Sequence, residues 1–427
     1  MPISSRTESN GTRYWPALLA LVVIATGMAY SLWWPTLVLH VHGAWVTPGD
    51  IWSDAWAAHW IDWGAFSYIY SGHTVLVTLP GLEILMAPLV ALGSGLGMTA
   101  AVPHIFFFPK PTEWLLLGPA SMAASAVALY GFDSLARLLQ VAPWRRRILS
   151  VLEAAALWPT IVVWGHPEDV LAMGLCAFAL VRAIQGKTMW AAWLLGGAIA
   201  MQLYALAVIP LFIGLLGVRR SMPLLARAAV LPSVLFMATV IPNPHATLHV
   251  LLDQPTYPSI DFPTPWVLVA PVIAKGVVAG GPARLVGFAV DSMLGFVAVR
   301  KRSDPLALTW LFALALSTRC VFEAVMCPYY VGPAIGFALV AGARTNWHRW
   351  STAAMASAGL TVLTYFRPGM WWYWLEMTAV LLAMQLLVSP VLHRRERRES
   401  TDDGLLLEEP VQLRPLEVLS SGPTPVR

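Results

Sequence analysis

Three carboxylates and a histidine crowd together near the start of the chain. They lie in Pro48-Gly49-Asp50-Ile51-Trp52-Ser53-Asp54-Ala55-Trp56 and the stretch through His59, Asp62, Trp63 and Tyr70. On a helix Asp50 and Asp54 share one face and Asp62 lies near it. His59 falls one position off that stripe, and Trp52, Trp56, Trp60 and Trp63 form a second one. An amphipathic helix in a membrane interface would turn the rings to lipid and the carboxylates to a cavity. A carboxylate so placed can take the proton of an attacking hydroxyl. Asp50 and Asp54 are the candidate catalytic residues. A solvated polar face on a loop helix is the plainer account of the same spacing.

Four more clusters offer binding chemistry. Trp164-Gly165-His166-Pro167-Glu168-Asp169 opens a helix. Proline and acids suit a first turn, but that does not explain His166. His166, Glu168 and Asp169 could also meet a divalent metal, though no second cluster has ligand spacing; no metal or other cofactor is expected, with a divalent ion left open. Gln202 sits at a break inside an apolar run and faces either a neighbouring helix or a phosphate or sugar. The segment from Pro242 to Trp266, with Asp261 and Trp266 at its end, has the stiff turns, carboxylates and indole that suit carbohydrate; a proline-stiffened loop reads equally well. Arg319 and Glu323, an i,i+4 pair, precede Tyr329-Tyr330. They are either a structural ion pair or a phosphate clamp in which Glu323 orients Arg319.

The elements that must hold these residues are membrane helices. Of 427 residues 58% are hydrophobic and 12% charged, against about 25% charged in soluble domains. The 21 Trp suit a membrane interface, and the 33 Pro suit broken helices. Cys176, Cys320 and Cys327 lie in or beside apolar runs, with neither metal spacing nor an even number for a disulfide framework. Apolar runs recur near 15–41, 114–140, 148–164, 169–185, 189–218, 222–241, 284–299, 305–322, 326–343, 351–366 and 371–391. The run 189–218 is too long for one span and divides at Met201–Tyr204. The expected fold is therefore all-α: a polytopic transmembrane bundle of about twelve spans, with an interfacial helix in the first outer loop. Residues 76–98 are apolar enough to cross but would break the alternation unless re-entrant or followed by a return helix at Phe106-Phe107-Phe108. Residues 266–280 read as a re-entrant or surface helix. Basic residues at Arg145–Arg147, Arg219-Arg220, Arg300–Arg302 and Arg394–Arg398 place both termini in the cytoplasm and the acidic stretch outside. The parts are a cytoplasmic N-terminus (1–14), a transmembrane domain (15–392) and a disordered cytoplasmic tail (393–427). No phosphate-binding glycine loop or soluble catalytic domain is evident, and no nucleic-acid partner is expected.

The order of these pieces resembles a known family. A first span is followed by Asp50, Gly64, Ile69-Tyr70 and an apolar run from Leu79-Pro80-Gly81 to Met86-Ala87-Pro88. Then come Gly165-His166, the short turn Gln185-Gly186-Lys187, and a small-residue helix from Leu195-Gly196-Gly197 to Met201-Gln202. This is similar to the polyprenyl-phosphate-dependent integral-membrane glycosyltransferases of the GT-C fold, nearest the actinobacterial mannosyl- and arabinofuranosyltransferases of the cell envelope. That family carries Lys where this chain has Gln202, and Gln or Asn where it has His166. The resemblance implies a bacterial plasma-membrane enzyme whose partners are membrane lipid, a polyprenyl phosphosugar donor and a glycan or glycolipid acceptor. The sugar would be mannose or arabinofuranose. Asp50 would act as general base for an inverting displacement on the outer face, and Arg319 could stand in for the missing lysine. A transporter or flippase of an envelope precursor is the alternative, as is an inactive scaffold of the same fold.

Overall fold

A computed structural model describes residues 14–71, 74, 76–101, 110–256, 262–273, 276–278, 281–363, 365 and 371–391. These residues are predominantly helical. Five helices are long and apolar enough to cross a membrane: Trp15–Leu37, Trp114–Leu138, Val218–Val240, Pro282–Lys301 and Pro305–Phe322. The chain is thus all-α and built on apolar helices of membrane-crossing length. The N-terminal residues 1–13, Phe106–Phe108, Asp261 and the tail beyond residue 391 lie outside the described residues.

In chain order the helices are α1 (Trp15–Leu37), α2 (Gly49–Asp62), α3 (Gly81–Gly95), α4 (Trp114–Leu138), α5 (Pro143–Trp158), α6 (Pro167–Ile184), α7 (Thr188–Met201), α8 (Ile209–Leu216), α9 (Val218–Ala228), α10 (Val230–Val240), α11 (Pro244–Leu248), α12 (Pro282–Lys301), α13 (Pro305–Phe322), α14 (Val331–Gly342), α15 (Trp347–Leu363) and α16 (Trp371–Leu387). The centre of the bundle is α4, α6, α7, α13 and α14. Small residues let these helices approach closely, as membrane packing requires. A Cβ added to Gly131 of α4 would lie 2.7 Å from the Gly174 carbonyl of α6. Phe132, Phe212, Phe312 and Phe337 fill the space between them. In contrast, α1, α9, α10 and α12 expose much of their apolar surface, among it Leu21, Val234, Leu285 and Phe296. Such a surface fits lipid rather than water.

The two ends of the bundle differ in chemistry. At one end Trp15 of α1 donates to the Arg147 carbonyl. Arg146 of α5 donates to Asp133 of α4 at 2.8 Å, and Arg137 shares that carboxylate. Arg145 donates to the Ala343 and Thr345 carbonyls at 3.0 and 2.8 Å, and its guanidinium lies over Trp144 and Trp350. The opposite end gathers carboxylates, tyrosines and the loop that follows α1.

Helix α3 answers one question that the apolar pattern of 76–98 left open. Gly81, at its start, packs on the Ala200 carbonyl near the end of α7 with no room for a Cβ. Gly93, near its finish, faces the Glu113 carboxylate just before α4. Both contacts lie at the acidic end, so α3 lies across that end rather than through the bundle. Segment 266–280 differs from the expected helix. It begins with a short 3-10 turn, Pro265–Val269, and continues into two strands. The strands β1 (Pro255–Thr256), β2 (Phe262–Pro263), β3 (Val272–Ile273), β4 (Gly276–Val278) and β5 (Val325–Met326) form two small antiparallel sheets, β1-β4-β3 and β2-β5. Proline at 263, 265 and 271 denies the chain helical donors there. The pairing of Phe262 with Met326 and Pro263 with Val325 fastens this loop to the exit of α13.

Candidate functional site

Helix α2 is seated by its small and aromatic residues. Ala55, Ala57 and Ala58 are wholly buried. Trp52 donates to Thr47 Oγ1 and Trp56 to the Ala101 carbonyl, each at 2.9 Å. Trp52 is itself buried beside Trp114, so the tryptophans do not form one lipid-facing stripe. Helix α2 instead has protein on several sides. The three aspartates consequently differ. Asp62 is exposed, Asp54 is buried, and the Asp50 side chain is 54% exposed in the first turn.

Asp50 meets the second cluster directly. A π-helical turn, Pro159–Val163, ends the helical run of α5, and Gly165 reverses the chain with φ +75°. Only a residue without Cβ fits this backbone and this space: an added Cβ would lie 2.6 Å from Pro48 Cβ. The reversal delivers His166 between two carboxylates. Its Nε2 lies 3.0 Å from Asp50 Oδ2 and its Nδ1 2.6 Å from Glu168 Oε1. Tyr329 stacks on the imidazole at 3.7 Å. Burial opposes a charge on His166, but the Glu168 carboxylate and the bond to Asp50 outweigh it and hold its pKa well above the usual value. With both nitrogens then donating, His166 fixes the direction of Asp50 and compensates part of its charge.

The remaining predicted residues divide into those that join this cluster and those that do not. Asp169, fully buried at the start of α6, lies 3.4 Å from Arg319 Nη1. Its own carbonyl accepts from Tyr204 at 2.7 Å. Arg319 closes α13, where a cation suits the helix dipole. Its guanidinium sits 3.5 Å from the Tyr330 ring centroid, a cation–π contact. The expected Arg319–Glu323 partnership is not the one formed. Glu323 has extended backbone beyond the end of α13. It takes both oxygens to Arg284 of α12, at 2.6 and 2.8 Å. Trp266 packs on Phe322 and donates to the Val321 carbonyl at 2.7 Å, which makes it a brace for the end of α13. Gln202, extended between α7 and the 3-10 turn Leu203–Val208, caps that turn by accepting from the Leu203 amide.

Gln202, Tyr204, Arg319, Glu323 and Tyr330 border one cavity of about 220 Å³, together with Gln254, Arg284, Asp291 and Thr318. Arg319 and Tyr330 line this cavity and also reach the His166 cluster, Arg319 through Asp169 and Tyr330 through Tyr329. The sequence singled out neither Arg284 nor Asp291; both lie on α12, whose composition reads simply as a span. Glu83 was missed as well. It is buried at the start of α3 and faces the Asp54 carboxyl. Burial, then the neighbouring Glu168 and Glu83 carboxylates, raises the Asp54 pKa well above the usual carboxylate value. Asp54 is thus suited to hold a proton in the cluster, and Asp50 is the more accessible carboxylate. His166, Glu168 and Asp169 bring ligand-type atoms within 4.8 Å of one another. Here Glu168 is hydrogen bonded to His166 and Asp169 is matched by Arg319, so protein cations already serve both carboxylates.

No family model matches the chain, and no curated protein matches it.

Proposed function

We propose that the chain is an integral-membrane glycosyltransferase with a GT-C-like bundle. It would move a sugar, mannose or arabinofuranose, from a polyprenyl phosphate donor to an envelope glycan or glycolipid. The observation that carries the reading is Asp50. It is half exposed at one end of an apolar bundle and directed by a His166 that Glu168 supports. Arg319 stands nearby at the wall of a cavity. In this reading Asp50 takes the proton of the acceptor hydroxyl. The oxygen forms a bond to the anomeric carbon as the bond to phosphate breaks. The electron pair leaves with polyprenyl phosphate, which Arg319 receives. A phosphate leaving group needs little acid assistance, and a single displacement inverts the anomeric carbon.

Two further features support this reading. Gln202, where the related family has lysine, borders the same cavity as Arg319, so a cation is present beside the altered position. Beyond the five helices of crossing length, in this reading α1, α4, α5, α6, α7, α8 with the 3-10 turn before it, α9 with α10, α12, α13, α14, α15 and α16 run alternately between the basic and acidic ends. That pattern suits about twelve crossings. By the positive-inside rule the basic end and both termini face the cytoplasm, and Asp50 faces outward, as in a multi-pass protein of a bacterial plasma membrane.

The test is transfer in lipid from radiolabelled polyprenyl phosphomannose or phosphoarabinofuranose to an envelope glycan. Asp50→Asn should lower the rate by about 10²-fold or more. Undiminished transfer in that variant would remove Asp50 as the base. Asp291, a carboxyl within α12, favours the transporter reading as the rival. Movement of intact donor across vesicles without transfer would establish that rival instead.

A further inference from the structure

Asp291 is the one cavity carboxylate that the glycosyltransferase reading leaves without a task. It is the tenth residue of a twenty-residue apolar helix, roughly 14 Å from either end at 1.5 Å per residue. Only 2% of it is exposed. Its Oδ2 lies 3.3 Å from the Thr318 hydroxyl, whose one proton also faces the Ala315 carbonyl at 2.6 Å, and its Oδ1 has no partner among the described residues. A carboxyl at such depth is expensive to keep unless it serves something.

The surroundings define what it could serve. Both cavity arginines already face carboxylates, Arg284 on Glu323 and Arg319 on Asp169. An anion beside Asp291 would be repelled. Gln254 already donates to the Val77 carbonyl and accepts from Arg284, and the Gln202 oxygen accepts from the Leu203 amide, so the Gln202 amide nitrogen is the donor this wall offers; Phe288, Phe322 and Tyr204 offer apolar faces. A carboxylate flanked by an amide donor and rings matches a neutral polyol ring: the carboxylate accepts from ring hydroxyls, and the amide donates to them. The volume of about 220 Å³ is below the roughly 300–1,000 Å³ of sites that enclose a drug-sized ligand. It suits one ring rather than a chain of them.

We propose that this cavity is a monosaccharide subsite in which Asp291, beside Thr318, reads the ring hydroxyls of the transferred sugar or of the acceptor's terminal sugar. The inference rests on the glycosyltransferase reading and extends it to sugar recognition. Asp291 is a specificity residue here, since it lines the cavity and is not among the groups in contact with His166.

The test measures binding to the full chain in lipid nanodiscs. The ligands are farnesyl phosphate, farnesyl phosphomannose, farnesyl phosphoarabinofuranose, their aminosugar analogues and methyl glycosides of the two sugars. Wild type should bind a sugar-bearing ligand about tenfold or more tighter than its sugar-free counterpart. Asp291→Asn should abolish that advantage, and Thr318→Val should reduce it. Unchanged farnesyl phosphate affinity shows that both variants are folded. Loss on the farnesyl phosphosugars assigns the subsite to the donor; loss on the methyl glycosides assigns it to the acceptor. Full retention of the sugar advantage in Asp291→Asn overturns the subsite and leaves the enzyme reading standing. Preference for an aminosugar overturns the assignment to neutral hydroxyls. Wild type that binds none of these ligands overturns both readings together.

Discussion

Gly165→Ala is the sharpest test of how the site is assembled, because it touches no candidate catalytic atom. Gly165 has φ +75°, a conformation costing an L-residue about 1–2 kcal/mol. The new Cβ would also sit 2.6 Å from Pro48 Cβ and 3.2 Å from the Ile51 amide nitrogen. Neither is the end of a flexible chain, so α2 must move, at about 1–3 kcal/mol for overpacking. The two effects together predict a loss of about 2–5 kcal/mol. Pro48 is two residues from Asp50, so the shift should break the 3.0 Å contact between Asp50 and His166. Thermal unfolding in detergent should show a midpoint several degrees lower, and transfer should fall at least about tenfold. Pro48→Gly removes the atom that is struck. Combined with Gly165→Ala it should recover the steric share but not the backbone share, giving a coupling of about 1–3 kcal/mol. Strict additivity of the two changes, or a Gly165→Ala protein as stable and active as wild type, would refute the apposition of α2 and the Gly165 turn.

Further outcomes follow from the same geometry. The folded chain keeps a proton on His166 that the unfolded chain releases near 6.5. The resulting stability is complete below about pH 6.5 and is lost as pH rises through the raised folded value; unfolding midpoints should therefore decline on the alkaline side in wild type and less so in His166→Gln. Asp54 has the same sign at lower pH: its proton is retained above the 3.8 at which the unfolded chain loses it, so Asp54→Asn should flatten the decline above that pH and raise the midpoint at neutrality. Arg319→Lys keeps a charge but loses the planar contact with Tyr330, and should raise KM for the lipid donor by about tenfold with a smaller change in KM for the acceptor. Gly295→Ala puts a Cβ 2.6 Å from the Pro210 carbonyl; it should cost about 1–3 kcal/mol in thermal unfolding by pushing α12 off the chain at the start of α8.

The sequence displayed the periodic features of this protein more clearly than its pairings. Apolar runs of span length marked α1, α4, α12 and α13, because roughly 20 apolar residues are a local signal. The break at Gln202 was visible for the same reason. Which charge meets which was not visible. Arg319 and Glu323 are four apart, and a helix through both would pair them. The helix stops at Phe322, so Glu323 turns to Arg284 and Arg319 to Asp169. Those partners are 39 and 150 positions away. Asp50 and His166, separated by 116 positions, were both singled out, but in separate clusters with nothing local to join them. The Gly165 positive φ was the missing link, and glycine before His-Pro is the only local hint of it. Glu83 and Asp291 escaped notice because a lone acid in an apolar helix carries no periodic signature.

The imbalance of charge around His166 bears on the chemistry proposed for the site. Asp50, Glu168 and Asp169 lie around one charged imidazole, Asp54 beside them holds a proton, and the Arg319 guanidinium reaches the cluster through Asp169. An excess of carboxylates is a poor cradle for phosphate alone. It is better suited to a reaction that develops positive charge, as glycosyl transfer does when the anomeric carbon becomes oxocarbenium-like. Preorganised negative groups then favour the transition state over the neutral sugar of the ground state. Arg319 stands at the rim of this field, against Tyr330 and next to the cavity, where it can meet the departing phosphate without neutralising Asp50. His166 separates the two functions: it holds Asp50 on one nitrogen and Glu168 on the other. A base, an acidic field and a phosphate-binding cation can thus occupy one end of the bundle without collapsing into a single ion pair.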